Sequence, residues 1–452
     1  MKKLLTVGSA LMLLSTSAFA TQSRLIALGL KELDNEGSYY IQDNRNIFLN
    51  AAAVNDVGDS IIMEYGASGR LLSSNNTSVE QLDQPKAQGG FFKKAGEYTY
   101  GFYYGNESNT SSLIRIASSS AAAISLGGVT AAGPTSPKML ATTDNQLDIF
   151  FAGTSGDYKW GTNLLFASSK DDVNLKKDQA LAFRLGLKAN SWDAHLNMSI
   201  LGKAESTDTI TSTYTGVAGT STIIQESEGK LGIHLGGSYN LSSEDKIFGY
   251  VKTFAWEQKD NYNAYPMPNE LAGNYVAGGQ SGTVKGNFTT IQLGWGKAAK
   301  VNETGTLFTS VYARHTAIDL KFANKTEVRN LVLPVTIGYE AVAADWLTLR
   351  GSIVQNIIGT RDNKNFNSAN AIARSLVAGT YGANGKGTLN NSTEVNAGAT
   401  LTYGKLAVDG VVGVTSGARN GSNSTATETP NKTQGPFALD NLASKVAVTY
   451  NF

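Results

Sequence analysis

Apolar and polar residues alternate one for one through most of this chain, from about residue 60 to its end at residue 452. In the stretch LAFRLGLK (181–188) leucine or phenylalanine occupies every second position. In the terminal stretch SKVAVTYNF (444–452) valine, tyrosine and phenylalanine do the same. Because successive side chains of a β-strand point to opposite faces, this alternation predicts many strands, each with one apolar and one polar face.

The connections between these stretches alternate between short and long. Short turns are predicted near 95–96, 154–157, 189–191, 241–245, 299–303, 341–345 and 404–405. Long loops rich in Asn, Ser, Thr and Gly are predicted near 67–87, 106–145, 168–178, 203–228, 257–285, 318–330, 357–392 and 415–441. Seven turns and eight loops join sixteen strands, which is an even number.

This layout predicts an all-β fold, a transmembrane antiparallel β-barrel of about 16 strands. Lipid cannot satisfy free backbone N–H and C=O groups, so strands that cross a membrane must close into a barrel. Bacterial barrels of this kind have short periplasmic turns and long extracellular loops. The sequence therefore places the protein in the bacterial outer membrane, with the barrel formed by residues 60–452.

The N-terminus predicts export. Residues 1–20 combine Lys2 and Lys3, an apolar run from Leu4 to Leu14 and the end Ala18-Phe19-Ala20, as a cleaved signal peptide does. Without them the chain carries 36 basic and 37 acidic residues, a balance that disfavours nucleic acid as a partner. It has no cysteine, and no long apolar run for a membrane-spanning helix follows the signal peptide.

Residues 21–59 do not follow the barrel pattern. SRLIALGLKEL (23–33) is compatible with a short helix, and SYYIQDNRNIFLN (38–50) alternates only weakly. We expect a periplasmic segment, a lining of the barrel wall or a partial plug of the lumen. A disordered leader is the remaining alternative, although the apolar content of this segment disfavours it.

Polar and charged residues on the alternating strands are the candidates for the pore lining. An isolated charge on a lipid face costs roughly 2–4 kcal/mol at the bilayer midplane, so consistent segregation places these residues inside. The candidates are Lys159, Arg184, Lys188, Asp193, His195, Arg314, Glu340, Arg350, Lys405 and Asp409. The excess of basic residues predicts a mild preference for anions. The alternative is that they are only solvated wall residues.

Four tryptophans, Trp160, Trp192, Trp295 and Trp346, lie within a few residues of predicted periplasmic turns, but strict alternation points Trp346 inward. Trp160, Trp192 and Trp295 are therefore candidates for an aromatic girdle at the membrane interface.

Two inward-facing histidines, His195 and His234, lie on consecutive strands together with Asp193. A metal site or an outer-membrane hydrolase is conceivable there, but two histidines in a polar lumen are more often only part of the wall. The sequence predicts no metal, no cofactor and no enzymatic activity.

With its signal peptide, its amphipathic strands and the terminal VAVTYNF, the chain resembles the bacterial general porins. The resemblance implies that Val448, Tyr450 and Phe452 form the signal read by the barrel-assembly machinery, and a homotrimer is an option. A weaker resemblance, over LDNEGSYYIQDNRNIFLNAAAVND (33–56), is to the porin-like major outer-membrane protein of predatory deltaproteobacteria.

These observations lead to the expectation of a porin, a water-filled channel for passive diffusion of small hydrophilic solutes and ions. One alternative is a barrel that transports hydrophobic substrates, with residues 21–59 as a hatch, which would need an apolar pocket in the lumen. Another is a structural or adhesive barrel whose loops bind partners.

Overall fold

The structure, a computed structural model, describes residues 21–30, 36–67, 86–106, 146–171, 176–214, 217–263, 282–321, 325–365, 385–388, 393–416 and 442–452. The predicted signal peptide (1–20) and most of the longest loop, 107–145, lie outside these residues. The described strands are β1 Ser60–Ala67, β2 Lys86–Ala95, β3 Tyr98–Tyr104, β4 Gln146–Ser155, β5 Tyr158–Asp171, β6 Lys176–Lys188, β7 Trp192–Tyr214, β8 Val217–Gly229, β9 Gly232–Asn240, β10 Asp245–Asn263, β11 Gly282–Lys300, β12 Gly305–Lys321, β13 Lys325–Ala344, β14 Leu347–Lys364, β15 Gly385–Thr388, β16 Thr393–Tyr403, β17 Leu406–Ser416 and β18 Leu442–Asn451.

These strands form one closed antiparallel sheet. The segments β8 and β9 together make one strand of the wall, because both pair with β7 on one side and with β10 on the other. Likewise β15 and β16 both pair with β14. The eighteen described segments therefore form the predicted sixteen-stranded barrel, which is confirmed.

Closure occurs between the first and last strands. Tyr450 lies opposite Ile61 and Val448 lies opposite Met63, so β18 pairs with β1, as closure of the predicted barrel requires. The Phe452 ring stacks on Phe91 at a centroid distance of 5.7 Å. The side chains of Tyr450 and Phe452 face outward, and the assembly role of Val448, Tyr450 and Phe452 stays a prediction.

The two faces of the wall differ in the way the alternation predicts. Large apolar side chains such as Ile291, Leu293 and Ile353 are exposed on the outside. Buried polar residues, among them Asn163 and Thr449, face the interior. An apolar outer surface on a closed barrel places the protein in the bacterial outer membrane. No described helix is long and apolar enough to cross a membrane.

The short connections lie where the sequence predicted them, and one candidate residue is placed differently. Lys405 lies in the tight turn between β16 and β17, next to Gly404 with φ +59°, and its side chain is exposed. The prediction that Lys405 lines the pore is wrong, because a turn residue at the barrel end no longer belongs to either wall face.

The described residues that precede β1, 21–30 and 36–59, contact the inner face of the barrel wall. They form helix α1, Gln22–Ala27, and two short 3-10 helices, η1 Asn44–Phe48 and η2 Ala51–Asp56. A polar residue caps each helix: the side chains of Thr21, Asp43 and Asn50 accept hydrogen bonds from backbone N–H groups of the first turns. The plug, as we call residues 21–30 and 36–57, is thus a set of short capped turns.

Candidate functional site: the plug and the inner wall

The plug contacts the inner wall in three sectors. Helix α1 packs against β14, β16, β17 and β18. Helix η2 packs against β3, β4, β5 and β6. Between them, Glu36, Tyr39 and Tyr40 contact β7, β9, β10 and β11. The described plug is therefore anchored around most of the circumference.

Arg24 connects helix α1 to the wall. Its guanidinium donates two hydrogen bonds to Glu340 on β13, at 2.8 and 3.0 Å, and one to Asp43 of the plug at 3.1 Å. Arg350 on β14 also contacts Glu340 and donates to Asp409 on β17 at 3.1 Å. Burial raises the pKa of Asp43 to about 7 against the opposing effect of Arg24.

The start of the plug also meets the strands that close the barrel. The Gln22 backbone N–H donates to Glu64 on β1 at 2.7 Å, and Lys445 on β18 donates to the Gln22 side chain at 2.8 Å. Glu64 is buried and also accepts from Tyr103 at 3.1 Å. Sequence analysis missed Glu64, although a glutamate on the polar face of the apolar strand SIIMEYGA was the signal for it.

Helix η2 is held by the opposite wall. Asp56 accepts from Lys159 at 2.5 Å and from Lys188 at 2.7 Å. Burial opposes ionisation of Asp56, but Lys188 and Lys159 outweigh it and lower the pKa of this carboxyl. The wall has glycines where the plug comes closest: a Cβ at Gly186 would lie 2.0 Å from Asn50 Oδ1, and one at Gly161 would lie 2.2 Å from the Ala51 carbonyl oxygen.

Apolar packing reinforces this side of the plug. Ile47, Phe48, Val54 and Val57 form one buried cluster with wall residues of β1 to β4. The Phe48 ring meets the Tyr103 ring edge-on at a centroid distance of 5.0 Å. Burying such side chains stabilises docking by about 1.5–3 kcal/mol each, so the plug is held by apolar contacts as well as by charge.

A further buried ion pair lies within the wall and involves no residue of the plug. Arg184 on β6 donates to Asp148 on β4 at 2.5 Å and also contacts Asn163 on β5, and all three side chains are fully buried. Asp148 was not identified from the sequence, because a single acidic residue in a short strand has no spacing that distinguishes it. The pair spans three strands beneath Phe48, whose ring centroid lies 5.7 Å from Arg184 Cζ.

The third sector contains the two histidines. His234 Nδ1 lies 3.1 Å from a Glu36 carboxylate oxygen, and Lys252 Nζ lies 3.4 Å from the other oxygen. His195 Nε2 lies 3.4 Å from His234 Nε2 and 3.5 Å from the Tyr39 hydroxyl. Among the described residues, no group of three His, Cys, Asp or Glu side chains is arranged to hold a metal ion.

A cavity of about 60 Å³ lies between plug and wall beside these histidines. Its aromatic lining comprises Tyr39, Tyr40, Phe248, Tyr250 and Tyr312, and its polar lining includes Glu36, His234, Lys252 and Gln292. The Tyr39 ring stacks on Phe248 at a centroid distance of 5.2 Å. The alternation of apolar and polar residues predicted a polar inner face and gave no signal for this aromatic pocket.

The aromatic lining continues along β10. Phe248, Tyr250, Phe254 and Trp256 all occupy the inward face of this strand. Phe254 stacks on Trp256 at a centroid distance of 5.0 Å, and both side chains are buried. Eight positions of a strand span about 26 Å, so this aromatic track leads from the cavity toward the loop end of the barrel.

The remaining sequence candidates have definite positions. The inward-facing ones are Lys159, Arg184, Lys188, Asp193, His195, Arg314, Glu340, Arg350 and Asp409. Asp193 accepts from the Ser238 hydroxyl, and Arg314 donates to Gln292 at 2.9 Å. Trp160, Trp192 and Trp295 face outward near the short turns, where Trp160 packs against Phe151 at 5.5 Å. Their interfacial role stays a prediction.

Arg24→Met tests the anchor of helix α1. The variant removes the hydrogen bonds to Glu340 and Asp43, and we expect the plug to be displaced about tenfold to 100-fold more often. Planar-bilayer recordings would register brief current steps that the parent protein lacks. Arg329→Met is the matched control, because Arg329 pairs with Asp319 on the outer surface, away from the plug. Equal behaviour of the two variants would exclude Arg24 as an anchor.

No family model and no curated protein matches this sequence. Several solved structures of outer-membrane barrels match this chain. A FadL homologue of Pseudomonas aeruginosa matches with a TM-score of 0.43 and 12% identity, over 94% of this chain and 98% of that chain. The toluene transporter TbuX of Ralstonia pickettii gives 0.37 and 10%, over 96% and 99%. The toluene transporter TodX of Pseudomonas putida gives 0.34 and 9%, over 97% and 99%. The similarity is one of outer-membrane barrel architecture.

The prediction of a general porin with a water-filled channel is wrong. A passive channel needs a continuous aqueous lumen, whereas the plug is packed against three sectors of the inner wall. Charged residues that were predicted to line an open pore, such as Glu340 and Arg350, are instead paired with the plug or with each other.

Proposed function

We propose that this protein transports small hydrophobic molecules across the outer membrane through the barrel, with the plug as a movable hatch. The aromatic track along β10 is the observation that carries the proposal. The rings of Phe254 and Trp256 add apolar surface to the inner wall, and an apolar solute gains about 25 cal/mol per Å² of surface that it removes from water.

The size of the cavity supports a hatch. An engineered protein cavity of about 150 Å³ binds benzene, so the 60 Å³ between plug and wall is too small for even a single aromatic ring. A substrate therefore requires displacement of Tyr39 and the residues around it. The plug allows such a displacement, because Glu36, Tyr39 and Tyr40 attach to the wall through side-chain contacts rather than through a shared sheet.

Trp256→Ser tests the aromatic track. Cells that produce the parent protein should take up a labelled monoaromatic hydrocarbon faster than cells without it, and should show no gain for a labelled sugar. Losing the Trp256 ring should slow hydrocarbon uptake about tenfold, because the apolar contact area of the track is interrupted.

Trp295→Ser is the matched control, since Trp295 lies on the outer surface of the neighbouring strand β11. Uptake of the sugar by the parent protein, or equal loss of hydrocarbon uptake in both variants at equal amounts of folded barrel, would overturn the proposal.

A further inference from the structure

A basic patch lies on the outer surface of β11 to β15, at the end of the barrel opposite the short turns. It is independent of the plug and of the proposed transport. Its cations are Lys285, Lys321, Lys325, Arg329, Lys364 and Lys386, and its anions are Asp319, Glu327 and Asp362. Six positive against three negative groups give this basic patch a net charge of +3, whereas the whole chain carries +1.

The patch contains a row of like charges that the fold does not require. Lys321 on β12 lies directly opposite Lys285 on β11 and directly opposite Lys325 on β13. Like charges at directly opposed positions destabilise a sheet. Lys285 and Lys325 have carboxylate neighbours, but no ion pair of Lys321 is found among the described residues.

Within the patch the ammonium groups project further than the carboxylates. The side chains of Lys285 and Lys364 are 64% and 66% exposed, whereas that of Glu327 is 21% exposed. Glu327 accepts from the ammonium group of Lys325 at 2.7 Å and from that of Lys364 at 3.1 Å, so it partly neutralises these two lysines from below. A molecule approaching from outside meets ammonium groups first.

The position of the patch along the barrel axis indicates which part of the membrane it faces. Lys285 lies ten positions along β11 from Trp295, and Arg329 lies ten positions along β13 from Tyr339. Ten positions of a strand tilted by about 40° rise about 25 Å, which is the height of the apolar band of an outer-membrane barrel. The outward residues between them are mostly apolar, such as Ile291 and Leu331. The patch therefore lies at the level of the outer-leaflet headgroups.

We propose that this basic patch binds the phosphate groups of outer-leaflet lipid headgroups. Phosphates at this level lie within reach of the Lys321 row, and their charge removes the repulsion among the three lysines. The carboxylates of the patch orient the ammonium groups, as Glu327 does for Lys325 and Lys364. The side of the barrel formed by β11 to β15 thus binds a row of lipid headgroups.

The test compares the parent protein with Lys285→Gln/Lys321→Gln/Lys364→Gln in mixed micelles. Thermal unfolding is followed while phosphatidylglycerol or phosphatidylcholine is titrated in. The parent protein should be stabilised preferentially by phosphatidylglycerol, and the triple variant should show an apparent affinity for this lipid about 100-fold weaker. The preference of the parent protein should also vanish in high salt, since the patch is exposed.

Lys300→Gln/Lys405→Gln is the matched control, because both lysines are exposed at the short-turn end of the barrel. It should retain the parent preference. The proposal fails if the parent protein does not discriminate between the two lipids, if its preference persists in high salt, or if control and triple variants lose affinity equally. If the triple variant does not fold, the single variant Lys321→Gln must still bind phosphatidylglycerol more weakly than the parent protein, with a smaller loss than that expected of the triple variant.

Discussion

Deletion of residues 22–57 should turn a barrel that carries almost no current into one that conducts ions continuously. The sixteen-stranded wall would then enclose an aqueous lumen lined by residues such as Lys188, Glu340 and Arg350. Planar-bilayer recording in a potassium chloride gradient gives the conductance directly, with the parent protein measured alongside. This change is the largest that we expect from any alteration of the plug.

The deletion also separates two interpretations of the plug. The barrel wall should still form, since its strand ladder is independent of residues 22–57, and heat-modifiable migration on a gel reports this. A folded deletion variant that conducts no better than the parent would mean that the plug does not close the lumen. Conductance of the parent protein equal to that of the variant would lead to the same conclusion.

Arg184→Met should destabilise the barrel by about 3–5 kcal/mol, the usual cost of leaving one partner of a buried ion pair without the other. The variant leaves the Asp148 carboxylate fully buried beside Asn163 without its guanidinium. The free energy of unfolding in urea, measured in detergent micelles, checks the prediction. Arg329→Met, which breaks an ion pair on the outer surface, should cost no more than about 1 kcal/mol.

The double variant Asp148→Leu/Arg184→Met sharpens this result. Replacing both charges by apolar groups removes the uncompensated carboxylate, so the double variant should be more stable than Arg184→Met alone. A double variant that is as unstable as the sum of the two single variants would show that Arg184 acts through its contacts with Asn163 or Phe48 rather than through Asp148.

The barrel was predictable because lipid imposes a simple rule on the outer face of every strand. β18 shows this most clearly: its alternation predicted the outward row of Val448, Tyr450 and Phe452, and closure of the barrel then requires its pairing with the first strand. The alternation of short and long connections then gave the strand number. Both signals are local, so they can be read from a few neighbouring residues at a time.

What fills the lumen was not predictable by the same rule. An inward charge such as Glu340 has the same pattern whether it meets water or a guanidinium, and its partner Arg24 lies 316 positions away. On β10 the difficulty is different. Phe248, Tyr250 and Trp256 face inward while Ile247 and Val251 face outward. Because both faces are apolar, the alternation does not distinguish the inward face from the outward face.

The contacts of helix α1 have a consequence for the order of folding. Thr21 meets Asp409, 388 positions later in the chain, and Gln22 meets Lys445, 423 positions later. The earliest part of the plug thus has near partners in Asp43 and Glu64 and distant partners in the last two strands. Because contacts this distant in sequence form only after the intervening loops have closed, we expect helix α1 to complete its contacts when β17 and β18 join the wall. On this expectation, full docking of α1 coincides with the step that closes the barrel.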